Sequence, residues 1–483
     1  MKNYDIGMIG LGVMGENLTL NIESKGFHVA AYDISKDRME DFTKTRAKEK
    51  NIKIARSLKE LVSMVKKPRK IMLMIKAGNP VDQVIEELIV LLDKGDIIID
   101  GGNSHFPDTN RRTKYLESNN LLFVGTGISG GEEGALNGPS IMPGGSEKAW
   151  PFVKDLLQAI AAKTKDDEIC CDWVGENGAG HFVKMVHNGI EYGDIQLITE
   201  VYQIMRDLLK MKPDEIHDIF YEWNKGELNS YLIEITADIF TKKDKDGTYL
   251  INKILDTAGQ KGTGKWTAIN SLHEGVSLPL IAESVYARFL SAIKEERVKA
   301  SKLYNRKLKH FDGDRKDFLN NLKDALYLAK IISYAQGFSL LSEASKSYKW
   351  DLNLGGISVL WKGGCIIRSA FLSNIKEAFD KNPNLSNLLV DSFFKNEIEL
   401  RIEGLRKVVS IAVLSGVSIP TLSSSIAYFD GYTTNSLPAN LLQAQRDYFG
   451  AHNYERIDKP RGEFFHTNWT GKGGKTASTI YKG

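Results

Sequence analysis

Cysteine is scarce in this chain: Cys170, Cys171 and Cys365 are the only three in 483 residues. So few thiols, without paired metal-ligand spacing, exclude a disulfide framework and a zinc cluster. They point to a reducing, cytoplasmic location, inert cysteines and no bound metal. No apolar run approaches the ~20 residues a membrane span requires. Residues 1–10 enter a strand pattern directly, so no leader segment is expected. Charge of one sign is also missing. Lys and Arg number 64 against 61 Asp and Glu, a formal charge of +3. With no polybasic tract, nucleic acid and membrane surfaces are poor partners. Nor does the chain show a short-period repeat of the solenoid kind.

What is present is a globular composition, 42% hydrophobic and 26% charged, long enough for roughly two to four domains. Residues 1–177 alternate β runs (4–9, 29–32, 70–75, 97–100 and 122–125) with amphipathic helical stretches such as 81–92. That alternation predicts a Rossmann-type α/β domain built on a parallel, doubly wound sheet. Gly175-Glu176-Asn177-Gly178-Ala179-Gly180 punctuates a change of regime. Residues 178–434 then read as a large all-α domain. Residues 435–483 form a C-terminal tail with aromatics and charges but little core, suited to lie on another surface, most naturally a partner subunit.

Gly10-Leu11-Gly12-Val13-Met14-Gly15 follows the first strand and opens a helix, the context of a dinucleotide fingerprint. Its glycines allow a tight turn and close approach of backbone to a pyrophosphate, which meets the unpaired N–H groups of the helix N-terminus. The second strand ends at Asp33, where a ribose-binding carboxylate belongs. Three further strand ends deliver loops to the same sheet edge: Lys76-Ala77-Gly78-Asn79, Asp100-Gly101-Gly102-Asn103-Ser104 and Gly127-Ile128-Ser129-Gly130-Gly131. Each alone is an ordinary turn; at consecutive strand ends they read as one site. In the helical part, Lys184, His187, Asn188 and Glu191 share one helix face, while Val183, Val186 and Ile190 look elsewhere. An amine, an imidazole, an amide and a carboxylate on two turns supply a proton acceptor and a separate donor, although a solvated charged face would look similar. Lys261 lies in Gly259-Gln260-Lys261-Gly262-Thr263-Gly264-Lys265-Trp266, suited to an oxyanion. Trp266 stands where a nucleotide-triphosphate loop needs a hydroxyl, and no strand precedes it, which rejects a kinase or ATPase. Arg288, Arg446 and His452 add scattered cationic groups.

These residues together carry a resemblance. V-G-E-N-G-A-G-H-F-V-K-M-V-H-N-G-I-E-Y, D-G-G-N-S, G-I-S-G-G-E-E-G-A, G-P-S-I-M-P-G-G, G-Q-K-G-T-G-K-W and Q-A-Q-R-D-Y-F-G-A-H closely resemble the 6-phosphogluconate dehydrogenases, decarboxylating enzymes of the pentose phosphate pathway, from the first strand to the tail. The resemblance implies a homodimer whose tail crosses into the partner's active site, and conversion of 6-phosphogluconate to ribulose 5-phosphate and CO₂. It implies a general base at Lys184 and a proton donor at Glu191. Substrate contacts are implied at Asn103, Ser129, Gly130, Gly131, His187, Asn188, Tyr192, Lys261 and Arg288, with Arg446 and His452 from the other subunit. Coenzyme contacts are implied at Gly10, Leu11, Gly12, Val13, Met14, Gly15, Asp33, Ile34, Ser35, Lys76, Ala77 and Asn103. The coenzyme is NAD or NADP. NADP-using relatives carry Asn-Arg-Ser/Thr where this chain has Asp33-Ile34-Ser35, and a carboxylate with no compensating arginine favours NAD. Lys36 and Arg38 stand close enough in sequence to restore phosphate binding. Two other readings are an enzyme for an unphosphorylated β-hydroxy acid, against which the tail argues, and a catalytically silent nucleotide-binding protein, against which Lys184 and Glu191 argue.

Overall fold

The structure, a computed structural model, describes residues 4–309, 311–473 and 476–478. Eight strands form one sheet: β1 (Ile6–Ile9), β2 (Val29–Tyr32), β3 (Ile52–Ile54), β4 (Lys70–Leu73), β5 (Ile97–Asp100), β6 (Leu122–Ile128), β7 (Ile141–Gly145) and β8 (Gly175–Glu176). Their order is β3-β2-β1-β4-β5-β6-β7-β8. The chain leaves β1 toward β2 and returns on the other side as β4, so the topological switch point falls between β1 and β4.

Both faces of the central strands are covered. Met8, Ala31, Met72, Ile97 and Ile99 join one apolar cluster; Ile9, Ala30, Ile71, Leu73 and Ile98 join another. Burial on both sides is why these strands read as continuous apolar runs rather than alternating ones. The expectation of a wholly parallel sheet is corrected at one place: β7 runs antiparallel to β6, with Ile128 opposite Ile141, and β8 is parallel to β7. Ile141-Met142-Pro143-Gly144-Gly145 carries a proline and two glycines, residues that announce a turn rather than a strand.

Beyond β8 the chain is helical. The 25-residue helix Ala179–Gln203 packs on β6 and β7 and on the helices Thr263–His273, Pro279–Ala292 and Arg315–Tyr348. Glycine makes the approach to the sheet possible: a Cβ on Gly127 would lie 2.2 Å from the Lys184 Cβ. Among the described residues no helix is long and apolar enough to cross a membrane.

Sheet and helices together make one compact unit over Met1–Ser425, and Ile426–Gly483 make a second. The second contains the helix Ala439–Gly450 and a short antiparallel pair, Tyr454–Glu455 with Phe464–Phe465. Its buried carboxylate, Asp447, accepts hydrogen bonds from the Thr467 N–H at 3.0 Å and the Trp469 Nε1–H at 2.8 Å, and lies 2.8 Å from His466 Nδ1. One polar anchor thus organises a segment with few apolar contacts. The end of the Gly/Lys/Thr-rich stretch, residues 474–475 and 479–483, lies outside the described residues.

Candidate active site

A cleft of about 630 Å³ opens at the carboxyl edge of the sheet. From the sheet side it is lined by Met14, Gly101, Gly102, Asn103, Ile128, Ser129, Gly130 and Gly131. From the helical side come Lys184, Asn188, Glu191, Tyr192, Lys261, Thr263 and Arg288. The helix Ala179–Gln203 brings to the cleft three of the four residues that sequence spacing grouped on one face, Lys184, Asn188 and Glu191, but not His187. His187 sits behind that face, fully buried, with Nε2 3.3 Å from Ser129 Oγ and Nδ1 3.1 Å from Asn188 Oδ1. Asn188 Nδ2 in turn donates to Thr263 Oγ1 at 3.0 Å. This chain of contacts ties the β6 loop, the helix Ala179–Gln203 and the Lys261 loop together.

Lys184 Nζ lies 3.4 Å from His187 Nδ1, and no salt bridge involves Lys184 or Glu191 among the described residues. Burial pushes the Lys184 ammonium down to about 8, opposed only partly by the charge of Glu191. Burial likewise raises the Glu191 carboxyl above its ordinary value, against the pull of Lys184 and Arg288. His187 falls well below its usual value, chiefly through burial and then through the neighbouring Lys184, so the imidazole is neutral near pH 7. The amine is thus driven toward its neutral form and the acid toward its protonated form. A general base and a general acid both need that condition. Arg288 lies with its guanidinium 3.5 Å from the Tyr192 ring centroid and donates to the Gly259 carbonyl at 3.3 Å. Lys261 is exposed at the rim, leaving two cations on one side of the cleft.

The coenzyme residues lie along the same edge. Gly10 has φ +99°, and a Cβ on Gly15 would be 1.9 Å from the Gly10 carbonyl oxygen, so strand and helix can touch only through glycine. A Cβ on Gly12, by contrast, would meet nothing within 4 Å. Open space over a helix N-terminus fits a pyrophosphate. Asp33, only 4% exposed, accepts from the Leu11 N–H at 2.7 Å, the Ser35 N–H at 2.8 Å and the Arg38 guanidinium at 3.2 Å. It holds the glycine turn as well as ending its strand, a role that sequence spacing did not reveal. Ile34 is 91% exposed. Of the implied coenzyme residues, Met14 and Asn103 line the cleft. Gly10 to Val13, Asp33 to Ser35, Lys76 and Ala77 lie at the ends of β1, β2 and β4 without lining it.

Of the residues that line the cleft, Met74, Ile75, Gly101, Gly102, Ile128, Gly259, Gln260, Thr263 and Ile366 had no site role of their own in the sequence reading. Thr263 lies within the Lys261 motif and could have been found there. Ile366 arrives from a loop with no recognisable pattern. Arg446 and His452 belong to the second unit, where they line a separate pocket of about 450 Å³ with Gln443, Asn453 and Arg461. The three cysteines are buried and unpaired. Burial raises the thiols of Cys170 to about 11 and of Cys365 to about 12.

Comparison with known proteins agrees with this geometry. Residues 5–175 match the NAD binding domain of 6-phosphogluconate dehydrogenase, and residues 180–469 match the C-terminal domain of 6-phosphogluconate dehydrogenase. The chain belongs to the 6-phosphogluconate dehydrogenase family. It is 57% identical over 477 residues to the decarboxylating 6-phosphogluconate dehydrogenase of Haemophilus ducreyi, covering 99% of each chain. It is 55% identical over 482 residues to the human enzyme of that name, covering all of both. Plasmodium falciparum 6-phosphogluconate dehydrogenase, solved in its apo form and in complexes with NADP+ and with 6-phosphogluconate, superposes with a TM-score of 0.93. The two are 44% identical, and the match covers 96% of this chain and 100% of the other. A family member of this length carries the sheet, the helical domain and the tail together.

Proposed function

We propose that the protein oxidatively decarboxylates 6-phosphogluconate to ribulose 5-phosphate and CO₂, with Lys184 as base and Glu191 as acid. The observation that carries this reading is a buried amine and a carboxyl on one helix, both facing the cleft and neither in a salt bridge among the described residues. A bound nicotinamide dinucleotide supplies the acceptor for the hydride from C3. Neutral Lys184 takes the proton of the C3 hydroxyl, leaving a 3-keto acid. As CO₂ departs, the electron pair of the broken C–C bond moves toward the C3 oxygen, and the ammonium of Lys184 donates its proton there. Glu191 then protonates C1 of the resulting enediol. Lys184 and Glu191 lie seven residues apart, about 10 Å along the helix axis, and the lysine side chain closes much of that gap. Lys261 and Arg288 suit the distal phosphate; arginine offers bidentate contact.

The active form is a homodimer in which Arg446 and His452 of the second unit serve the partner's site. Supporting this, Tyr286, Phe289, Leu290 and Ile293 are exposed together on or beside the helix Pro279–Ala292, apolar side chains that a partner subunit would cover. The three buried thiols suit a reducing cytoplasm. For the coenzyme we favour NAD. Asp33 Oδ1 accepts one bond from the Ser35 N–H, leaving a lone pair for a ribose hydroxyl. Ile34 offers no donor to a 2′-phosphate, and Arg38 is engaged by Asp33. The test is to follow CO₂ release alongside coenzyme reduction with 6-phosphogluconate, for the full chain and for a chain ending before Leu437. Stoichiometric release that is lost in the truncated chain is expected. Reduction without CO₂, or a fully active monomeric truncation, contradicts the reading.

A further inference from the structure

The dominant polar group behind the sheet edge is Arg112, on the helix Phe106–Ser118 and fully buried. Its Nε and Nη2 donate to the two carboxylate oxygens of Asp82 at 2.8 and 2.9 Å, and Nη2 also to the Gly78 carbonyl at 3.0 Å. Both partners stand at the start of the helix Asn79–Ile89, immediately after Lys76-Ala77. On its other side, Nη1 reaches Ser104 Oγ at 3.4 Å and Asp100 Oδ2 at 3.5 Å. Asp100 in turn accepts from the Ser104 hydroxyl at 2.6 Å and from the Gly102 N–H at 3.0 Å. Asn103 lies between these anchored residues and projects into the cleft. The next residue, His105, stacks on Trp266 at 4.6 Å between ring centroids, which ties the same loop to the helix that begins at Thr263.

We propose that Arg112 is a positioning residue for this site: it locks loop 100–105 against loop 76–79, so that Asn103 is presented in one place to coenzyme and substrate together. The guanidinium is fully buried behind the two loops and does not line the cleft. Burying such a group is costly, and a tie needed for folding alone could be apolar. A planar fork with donors on three sides, however, fixes two loops in direction as well as distance, which neither an apolar contact nor a lysine can do.

The inference rests on the reading of the cleft given above, and the experiment separates the two. In the full chain, calorimetric dissociation constants for NAD+ and NADP+, kcat and KM for 6-phosphogluconate, and Tm are measured for wild type, Asp82→Asn, Ser104→Ala and Arg112→Lys. Asp82→Asn and Ser104→Ala each remove one arm of the lock and should fold. Misplacing a positioned group by about an ångström costs on the order of a hundredfold, so a partial release should weaken coenzyme binding and kcat/KM by about tenfold. Arg112→Lys should lose more. KM and coenzyme affinity should move further than kcat, with Tm changing little in the two arm variants. Wild-type coenzyme affinity and kcat/KM in both arm variants overturn the proposal, whatever their Tm and whether or not Arg112→Lys folds. If the wild type binds coenzyme but does not turn over 6-phosphogluconate, the substrate reading fails, and the calorimetry still decides for or against Arg112.

Discussion

The helix Ala179–Gln203 contributes to two acid–amine arrangements, one closed across to a second helix and one left open within itself. Asp194 meets Lys330 of the helix Arg315–Tyr348 at 2.5 Å, both essentially unexposed. Three residues earlier Glu191 faces the cleft, and two turns before it Lys184 does the same, without a bridge. In the first pair the two charges meet and fasten two helices, although burial still raises the Asp194 carboxyl against the pull of Lys330. In the second, no ion pair forms among the described residues, and burial pushes the amine down to about 8 and the carboxyl upward, both toward their neutral forms. Acid and amine fasten two helices where they meet, and stand open to the cleft where they do not. The sheet edge repeats the contrast: Asp33 and Asp100 are answered internally, while the glycine turn beside them is left open at Gly12.

Removing the open amine should have the largest effect. Lys184→Met should lower kcat by about a thousandfold or more, because general base and enolate donor are one group. Coenzyme binding should persist. The same variant should be more stable than wild type at pH 7. The folded-state value of about 8 lies below the unfolded value of about 10.4, so the penalty of the buried ammonium is complete below pH 8 and fades as pH rises toward 10.4. That penalty is about 3 kcal/mol, and thermal melts of both proteins at pH 7 and pH 10 would measure how much of it is recovered. Glu191→Gln should cost about a hundredfold, expressed as keto or enediol product escaping before C1 is protonated, which product analysis detects.

Breaking the closed pair should act differently. Lys330→Met strands the Asp194 carboxylate, and losing one partner of a buried pair costs about 3–5 kcal/mol. Denaturant unfolding should register that loss, while the folded fraction keeps a recognisable pH–rate profile. A variant with unchanged stability and abolished turnover would erase the distinction between the two pairs. The smallest effect is expected at the sheet edge. Asp33→Asn/Ile34→Arg should shift the ratio of kcat/KM for NAD over NADP toward NADP by about tenfold, the worth of one charge-assisted contact. An unchanged ratio, or a wild type that already prefers NADP tenfold, would show that Asp33 does not set the choice.

The sequence displayed these regions unevenly. The glycine fingerprint, the five main strands and the face carrying Lys184, Asn188 and Glu191 are local periodicities, and they appear where spacing put them. β3 and β8 are too short to carry a pattern, and β7 hides behind Pro143, Gly144 and Gly145. What spacing cannot express is who answers whom. That Arg38 and the Leu11 N–H close on Asp33, that Lys330 closes on Asp194 across 136 positions, and that no salt bridge forms to Glu191 among the described residues are facts of packing. The spacing grouped Lys184 with Glu191, and the fold leaves both on the cleft with no ion pair among the described residues.

The most direct test is the pH dependence of kcat/KM for 6-phosphogluconate, which reports the free enzyme's essential groups. Lys184 acts as base only when neutral, so kcat/KM should climb with rising pH and bend near pH 8, with the rising limb abolished in Lys184→Met. A rise that continues unbent to pH 10, the ordinary lysine range, would mean that the amine is not held near neutrality by its surroundings, and the contrast with the closed pair would fall.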